Sequence, residues 1–220
     1  MGKHEDILIT ADRVQAARKS NEEPQRRMPK RRRGHDRVAV LLEASAKVFV
    51  RKGYEAATMT EIAAEANSSI GSLYQFFPTK PLLAEALHVD RLERLKSVLG
   101  DIVETSGGLS PADSGEAIFD RLAAFIETFP EYPVLAARRD VPKERKMRSR
   151  AELKALICVI LKQAKPSVGE DTALMAAIIL ELLRIAVLAA TEPEAAEDGH
   201  VVRELRLMLR KRLDEAAAQG

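Results

Sequence analysis

The chain has 220 residues, of which 46% are apolar and 4% aromatic, so it can bury a sizeable core. Its one cysteine excludes an intramolecular disulfide, and its net charge of +2 excludes a uniformly basic or acidic protein. Helix-forming Ala, Leu, Glu, Lys and Arg are common, and no run alternates β-branched with polar residues. The composition therefore predicts an all-α fold.

Residues 1–34 are predicted to form a disordered basic N-terminal arm. Proline interrupts the helical patterns there, and the start lacks the long apolar stretch of a secretory signal. Between positions 26 and 37, seven Lys and Arg residues face one acid, Asp36. A cluster this dense binds phosphates by releasing counterions, and a solvated tail is the alternative on composition alone. Met28 is a second candidate for the translation start.

Helical spacing of apolar residues runs from Asp36 to Lys52, and Gly53 is suited to the helix end that follows. Thr58 and Glu61, three residues apart, are a capping-box signature. This signature predicts a short second helix that begins directly after Thr58.

A tight turn and a third helix are predicted next. Asn67 tolerates the left-handed conformation of such a turn, Ser68 or Ser69 can cap a helix that runs to about Phe76, and Pro78 breaks it. Two short helices joined in this way have the helix-turn-helix form, whose second helix enters the major groove of DNA.

The stretch Thr58–Leu83, TMTEIAAEANSSIGSLYQFFPTKPLL, resembles the DNA-binding segment of the TetR (tetracycline repressor) family. The residues that match the family pattern are Ile62, Ala63, Gly71, Leu73, Tyr74, Phe77 and Lys80. With the helix before it, the resemblance covers a quarter of the chain. It implies a DNA-binding domain at 35–82 and a helical ligand-binding and dimerisation domain at 83–220.

Two departures from the family pattern bear on DNA binding. Asn67 and Ser68 replace a usual Gly-Val pair, and Ile70 stands where Lys, Arg or Gln is common, so the operator sequence does not transfer from the family. From Asp36 to Leu87, five Lys and Arg residues oppose six acids. The basic arm is therefore expected to supply charge for the phosphates.

The predicted DNA contacts form three groups. Phosphate contacts are expected from Thr58, Ser69, Tyr74 and Lys80. Base contacts are expected from Thr60, Ile70, Ser72 and Gln75, with Gly71 admitting the backbone. The arm, with Arg31, Arg32 and Arg33, is expected to reach an adjacent minor groove.

Six further helices are predicted in the second half. Their expected ranges are Thr79–Leu99, Ser110–Thr128, Val134–Arg139, Pro142–Lys165, Asp171–Ala190 and Val201–Ala217. An apolar ligand pocket is expected at His88, Phe119, Phe125, Phe129 and Tyr132, with ordinary packing as the alternative. The basic stretch 138–150 is interpreted as a solvated face or as a site for an acidic effector.

The helix Asp171–Ala190 is apolar nearly all round and needs cover on more than one side. A two-fold homodimer, formed with the last helix, is one solution, and burial inside the monomer is the other. The expected interface residues are Ile178, Leu182, Ile185, Leu205 and Leu209. Glu181 and Arg184 interrupt the apolar run and argue against a membrane span.

No catalytic motif or cofactor-binding loop is found, so no enzyme activity and no cofactor are expected. Glu85 and His88 form a single Glu-x-x-His pair, which is too little for a di-iron site, and no metal is expected. The function predicted is a cytoplasmic, ligand-responsive transcriptional regulator, most simply a repressor, that binds a near-palindromic duplex DNA operator as a homodimer. The alternative is a ligand-binding or protein-interaction protein that has lost sequence-specific DNA binding.

Overall fold

The computed structural model describes residues 31–105, 107–190 and 200–219. These ranges are helical apart from their connections, which confirms the all-α prediction. The helices are α1 Arg31–Ala56, α2 Met59–Glu65, α3 Ile70–Phe76, α4 Lys80–Thr105, α5 Pro111–Thr128, α6 Glu131–Ala136, α7 Lys143–Gln163, α8 Thr172–Ala189 and α9 His200–Gln219. A 3₁₀ turn, Gly169–Asp171, precedes α8.

Two compact units divide the chain, Met1–Asp90 and Arg91–Gly220. Helix α4 begins in the first unit and ends in the second. The boundary at 82/83 taken from the sequence falls inside the first unit and stays a prediction.

The first unit surrounds an apolar core contributed by α1, α2, α3 and the start of α4. Its fully buried residues include Leu41, Phe49, Ile62, Leu73, Leu83 and Leu87. Gly53, with φ of 76°, leaves the helical conformation near the end of α1, as its place after the apolar pattern predicts.

Helix α1 begins at Arg31, five residues before the predicted start at Asp36. Arg31, Arg32 and Arg33 are therefore on its first turn, although their side chains lie outside the described residues. The rest of the predicted arm, residues 1–30, also lies outside them.

Helix α4 continues to Thr105, six residues past the predicted end at Leu99. The predicted end relied on Gly100, which disfavours a helix interior by about 1 kcal/mol. The apolar stripe outweighs this cost, because Leu99 and then Ile102 are buried and one such side chain contributes about 1.5–3 kcal/mol.

The second unit has one continuous apolar core drawn from α4 to α9. Helix α9 packs against α5 at Gly115, where an added Cβ would lie 2.7 Å from Leu213 Cδ1. Ion pairs flank this contact, with Arg206 donating to Glu116 and Asp120, and Arg210 donating to Asp113. Small size at Gly115 and charge pairing together hold α9 against α5.

The predicted dimer residues occupy different environments. Leu209 is 3% exposed and its side chain lies against Gly115 of its own chain, while its assignment to a subunit interface stays a prediction. Ile178, Leu182 and Leu205 are half-buried, and Ile185 is exposed. The more exposed apolar side chains of α8 and α9 are Leu174, Leu207 and Met208.

One segment, Gly169–Ala189, is long and apolar enough to cross a membrane by length and composition alone. Within the apolar window of this segment, 44% of the residues are buried inside the protein. The same composition is found in the core helices of globular proteins.

Candidate nucleic-acid interface

A reciprocal cap begins α2. The Glu61 amide donates to the Thr58 hydroxyl oxygen at 3.3 Å, while the Thr58 amide and hydroxyl donate to the Glu61 carboxylate at 3.1 and 2.9 Å. The predicted capping box is confirmed. Hydrogen bonds from the Lys52 ammonium and the Thr58 hydroxyl lower the pKa of Glu61, which keeps its carboxylate charged.

The turn between α2 and α3 also follows the prediction. Asn67 has φ of 47°, in the left-handed region, and the Ser72 amide donates to the Ser69 hydroxyl oxygen at 3.1 Å. The Ser69 cap satisfies one amide at the start of α3. Both features fix the direction in which α3 leaves the turn.

Helix α3 has one buried and one exposed face. Leu73 and, just after the helix, Phe77 fill the core, whereas Ile70 is 39% and Tyr74 45% exposed. Gln75 is also exposed. A helix this short presents its exposed side chains as one surface, here called the α3 face: Ile70, Gly71, Tyr74 and Gln75, with half-buried Ser72 at its edge.

Gly71 lies in open space on the α3 face. A Cβ added there would meet no described atom within 4 Å, and the residue does not have a positive φ. Neither packing nor backbone conformation in the described chain therefore requires glycine here. The missing side chain instead leaves room for another molecule to approach the backbone.

Lys80 has a structural role that sequence reasoning missed. Its ammonium donates to the carbonyl oxygens of Tyr54, Glu55 and Ala57 at 2.8, 2.8 and 3.0 Å, and it lies 4.7 Å from the Tyr54 ring centroid. An ammonium has three donors, so all are used. This geometry differs from the predicted phosphate contact by the Lys80 side chain, because the cation already stabilises the end of α1.

The other cations described between α1 and α4 also have partners. Lys52 pairs with Glu61, and both Arg51 and Lys47 pair with Glu65. Arg37 donates to the Ser68 hydroxyl oxygen at 2.5 Å, so the serine that replaces an apolar family residue forms a polar contact between α1 and the turn. No sequence signal marks this contact, because 31 residues separate its partners.

The remaining predicted DNA contacts are accessible. Thr58 and Thr60 are exposed at the start of α2, as is Ser69 before α3. The structure therefore brings the predicted residues of α2 and α3 into one small unit. Which of them contact DNA stays a prediction.

The predicted ligand-pocket residues fall in different units. His88 is half-buried in the first unit. In the second, the Phe125 ring centroid lies 4.8 Å from that of Phe129 and 5.3 Å from that of Tyr132. Burial raises the pKa of Tyr132 to about 12, as expected for a phenol in an apolar core. Phe119 is buried in the same core.

A buried ion pair adjoins this aromatic cluster. The Arg91 guanidinium donates to Glu131 at 2.5 Å, with the two side chains 1% and 4% exposed, and it lies 4.6 Å from the Phe129 ring centroid. Within the described ranges, no group of three or more His, Cys, Asp or Glu residues is placed to hold a metal ion.

Comparison with known proteins identifies the helix-turn-helix segment. A profile of the family described as bacterial regulatory proteins, tetR family, matches residues 41–87. This segment belongs to the TetR family. The resemblance noted at Thr58–Leu83 is thereby confirmed, and the match includes α2, α3 and the exposed α3 face.

A curated relative matches the TetR segment in sequence. An uncharacterized HTH-type transcriptional regulator, YhgD of Bacillus subtilis (strain 168), is 35% identical over 71 residues. That alignment covers 32% of this chain and 37% of the relative's length, so the chain spans little more than a third of the curated relative it matches.

Two solved structures share the fold over most of the chain. A transcriptional regulator from Pseudomonas aeruginosa PAO1 aligns with a TM-score of 0.64 at 20% identity, covering 84% of this chain and 92% of that one. A TetR-family regulator from Streptomyces coelicolor aligns with a TM-score of 0.62 at 23% identity, covering 82% and 99%. These likenesses extend the TetR fold into the second unit.

Proposed function

We propose that this protein is a ligand-responsive transcriptional regulator that binds a near-palindromic DNA operator as a homodimer. The α3 face carries the proposal. It is exposed and has no side chain at Gly71. It also lies within the segment that matches the tetR family profile. The major groove, about 12 Å wide, admits one such helix.

The α3 face offers side chains for both kinds of DNA contact. Gln75 can donate to and accept from an adenine edge, and Ile70 suits contact with a thymine methyl group. The Tyr74 hydroxyl and the Ser69 hydroxyl proton suit phosphate oxygens. We assign Ser72 and Thr60 to the margin of the same surface.

Regulation would follow from two binding sites on one chain. A homodimer places two α3 helices in successive major grooves, about 34 Å apart, which explains why a near-palindrome is expected. A small, apolar effector in the second unit would favour a conformer that no longer matches that spacing. We further propose that the bound dimer represses transcription by blocking polymerase. The protein is proposed to act in the cytoplasm.

The first experiment is selection of bound fragments from randomised duplex DNA at about 0.15 M salt. A near-palindromic consensus is expected. If a folded, dimeric protein enriches no sequence, with and without added metabolite extract, the alternative of lost DNA binding replaces this proposal. The alternative has a physical basis, because the described cations between α1 and α4 are already paired within the protein and are less available to DNA phosphates.

A double variant links the selected site to the α3 face. Tyr74→Ala with Gln75→Ala should lower operator affinity at least about tenfold, since each residue contributes on the order of 1–3 kcal/mol. Both side chains are exposed, so the fold should be retained. The matched control is Val159→Ala, which truncates an exposed side chain of the second unit. Equal operator affinity in the two proteins would disprove the role of α3.

A further inference from the structure

The segment that leads into α7, together with the first turns of that helix, is strongly basic. Residues 138–150 contain seven Lys and Arg residues and two acids, whereas the whole chain has a net charge of only +2. The segment from Asp36 to Leu87 shows the opposite balance, with more acids than bases. Within the first unit, the excess of bases therefore lies before Asp36, in the basic arm.

This basic segment projects into solvent. Every residue from 142 to 148 is exposed, and the first buried residue of α7 is Ile157. Two of its arginines are held by acids, Arg138 by Asp140 and Arg150 by Glu181. The exposed surface that remains, here called the α7 patch, is centred on Arg139, Lys143 and Arg148.

The α7 patch lacks neutralising partners within the described chain. No described acid lies within ion-pair distance of Arg139, Lys143 or Arg148. Lys143 is also the first residue of a 21-residue helix, where its charge opposes the helix dipole while Glu144 beside it favours the dipole. A bound external anion would reduce the mutual repulsion of the cations and the unfavourable interaction of Lys143 with the helix dipole.

The shape of the patch selects among anions. From Lys143 to Arg148 the helix extends by about 7.5 Å, at about 1.5 Å per residue, and the two side chains leave it in different directions, so a single carboxylate or phosphate does not bridge them. A membrane-surface helix needs a continuous apolar face, and the exposed residues 142–148 offer one large apolar side chain, Met147. A duplex presents one charge per about 1.7 Å of its axis and therefore offers phosphates to cations that are spread apart.

We propose that the α7 patch is a second DNA-binding surface, which contacts the phosphate backbone of duplex DNA without reading its sequence. The proposal rests on the proposed function for its partner. Between α1 and α4 of the first unit, Lys52, Arg51, Lys47 and Lys80 are held by acids or carbonyl oxygens. Cations of the α7 patch add to the electrostatic attraction expected from the basic arm.

The test compares two charge-matched triple variants of the full-length protein. The patch variant is Arg139→Gln, Lys143→Gln and Arg148→Gln. The control is Arg121→Gln, Lys162→Gln and Lys165→Gln, which removes three exposed cations of the same unit and leaves α8 and α9 unchanged. Both variants lose the same net charge, so a difference in their DNA affinity is due to the positions of the removed cations.

Affinity for a long duplex is measured as a function of salt. In the patch variant, the slope of log affinity against log salt should fall by about 0.9 for each phosphate that the protein no longer neutralises, and by up to about 5 in a dimer. Affinity at low salt should fall at least tenfold more than in the control. The preference for the operator over random duplex should be unchanged.

Three outcomes separate this proposal from the proposed function. Equal slopes for the patch and control variants would overturn it. Binding of the wild type, but not the patch variant, to vesicles of phosphatidylcholine and phosphatidylserine, with unchanged DNA slopes, would assign the patch to membranes and also overturn it. If the wild type binds random duplex without operator preference and the patch variant loses that binding, the proposed function fails while the second DNA surface is supported.

Discussion

In the first unit, α2 and α3 begin at caps supplied by residues only a few positions away, whereas in the second unit ion pairs join helices that are far apart in the chain. Thr58 caps α2 together with Glu61, three residues away. In the second unit, Arg206 reaches Glu116 across 90 residues, and Arg91 reaches Glu131 across 40. Local capping suits a small unit that must present one short helix in a fixed direction.

This difference between local caps and long-range ion pairs predicts how substitutions affect the stability of each unit. A cap acts on one helix terminus and contributes about 1 kcal/mol. A buried ion pair joins two helices, and the loss of one partner leaves a charge in the core. We therefore expect substitutions in the second unit to have larger effects on stability than those at the caps of the first.

The largest effect is expected for Glu131→Ala. The Arg91 guanidinium would remain buried and lose the Glu131 carboxylate, and the free energy of unfolding should fall by about 3–5 kcal/mol. Denaturant unfolding followed by circular dichroism measures this change. The double variant Arg91→Leu with Glu131→Leu should recover most of the loss, because apolar groups of similar volume replace the pair. A loss under 1 kcal/mol for the single variant would mean that the pair does not support the core.

Alkaline pH should destabilise the second unit next most strongly. Tyr132 has its pKa raised to about 12 by burial, while the unfolded residue ionises near its ordinary value of 10. Stability from this group is complete below pH 10 and is lost as the pH rises toward 12, by about 2–3 kcal/mol in total. Unfolding titrations at several pH values measure the slope. Tyr132→Phe should flatten it, and an unchanged slope would contradict the assignment.

Lys80→Met tests a long-range contact that holds the end of α1 in the first unit. Three carbonyl oxygens would lose a charged donor, and stability should fall by about 2 kcal/mol. Faster hydrogen exchange is expected at the end of α1. Lys52→Met, which removes an exposed ion pair, is the control and should cost under about 1 kcal/mol. Similar losses in both variants would show that Lys80 acts only as a surface charge.

The smallest effect is expected for Thr58→Ala, at about 1 kcal/mol in thermal or denaturant unfolding. Thr58→Ser keeps the hydroxyl and should be close to wild type. Thr60→Ala, two residues further along α2, is exposed and serves as the comparison that does not remove a cap. If both alanine variants behave alike, the capping box contributes nothing measurable.

The same contrast explains which features sequence reasoning could predict. Thr58, Asn67 and Ser69 act on residues within a few positions, so their spacing predicted the caps and the turn that the structure confirms. Lys80 was assigned to phosphate because its carbonyl partners lie 23 to 26 residues away and leave no pattern.

Predictions for the second unit were limited where burial depended on packing. Leu209 lies on an apolar stripe, but periodicity does not say whether the chain itself or a second copy covers that stripe. In the structure, the missing side chain of Gly115 lets α9 approach α5, which accounts for the burial of Leu209 within its own chain. Gly100 misled the prediction of the end of α4 for a related reason, since buried Ile102 outweighs its low helix propensity.

The distribution of tyrosines gives the molecule a built-in optical reporter. The chain has three tyrosines and no tryptophan, so its ultraviolet emission comes from tyrosine alone. Tyr54 and Tyr132 are buried, whereas Tyr74 on α3 is exposed. A dissolved quencher such as iodide therefore reaches mainly Tyr74, and a bound duplex would shield it, so unlabelled protein can report occupancy of its own recognition helix.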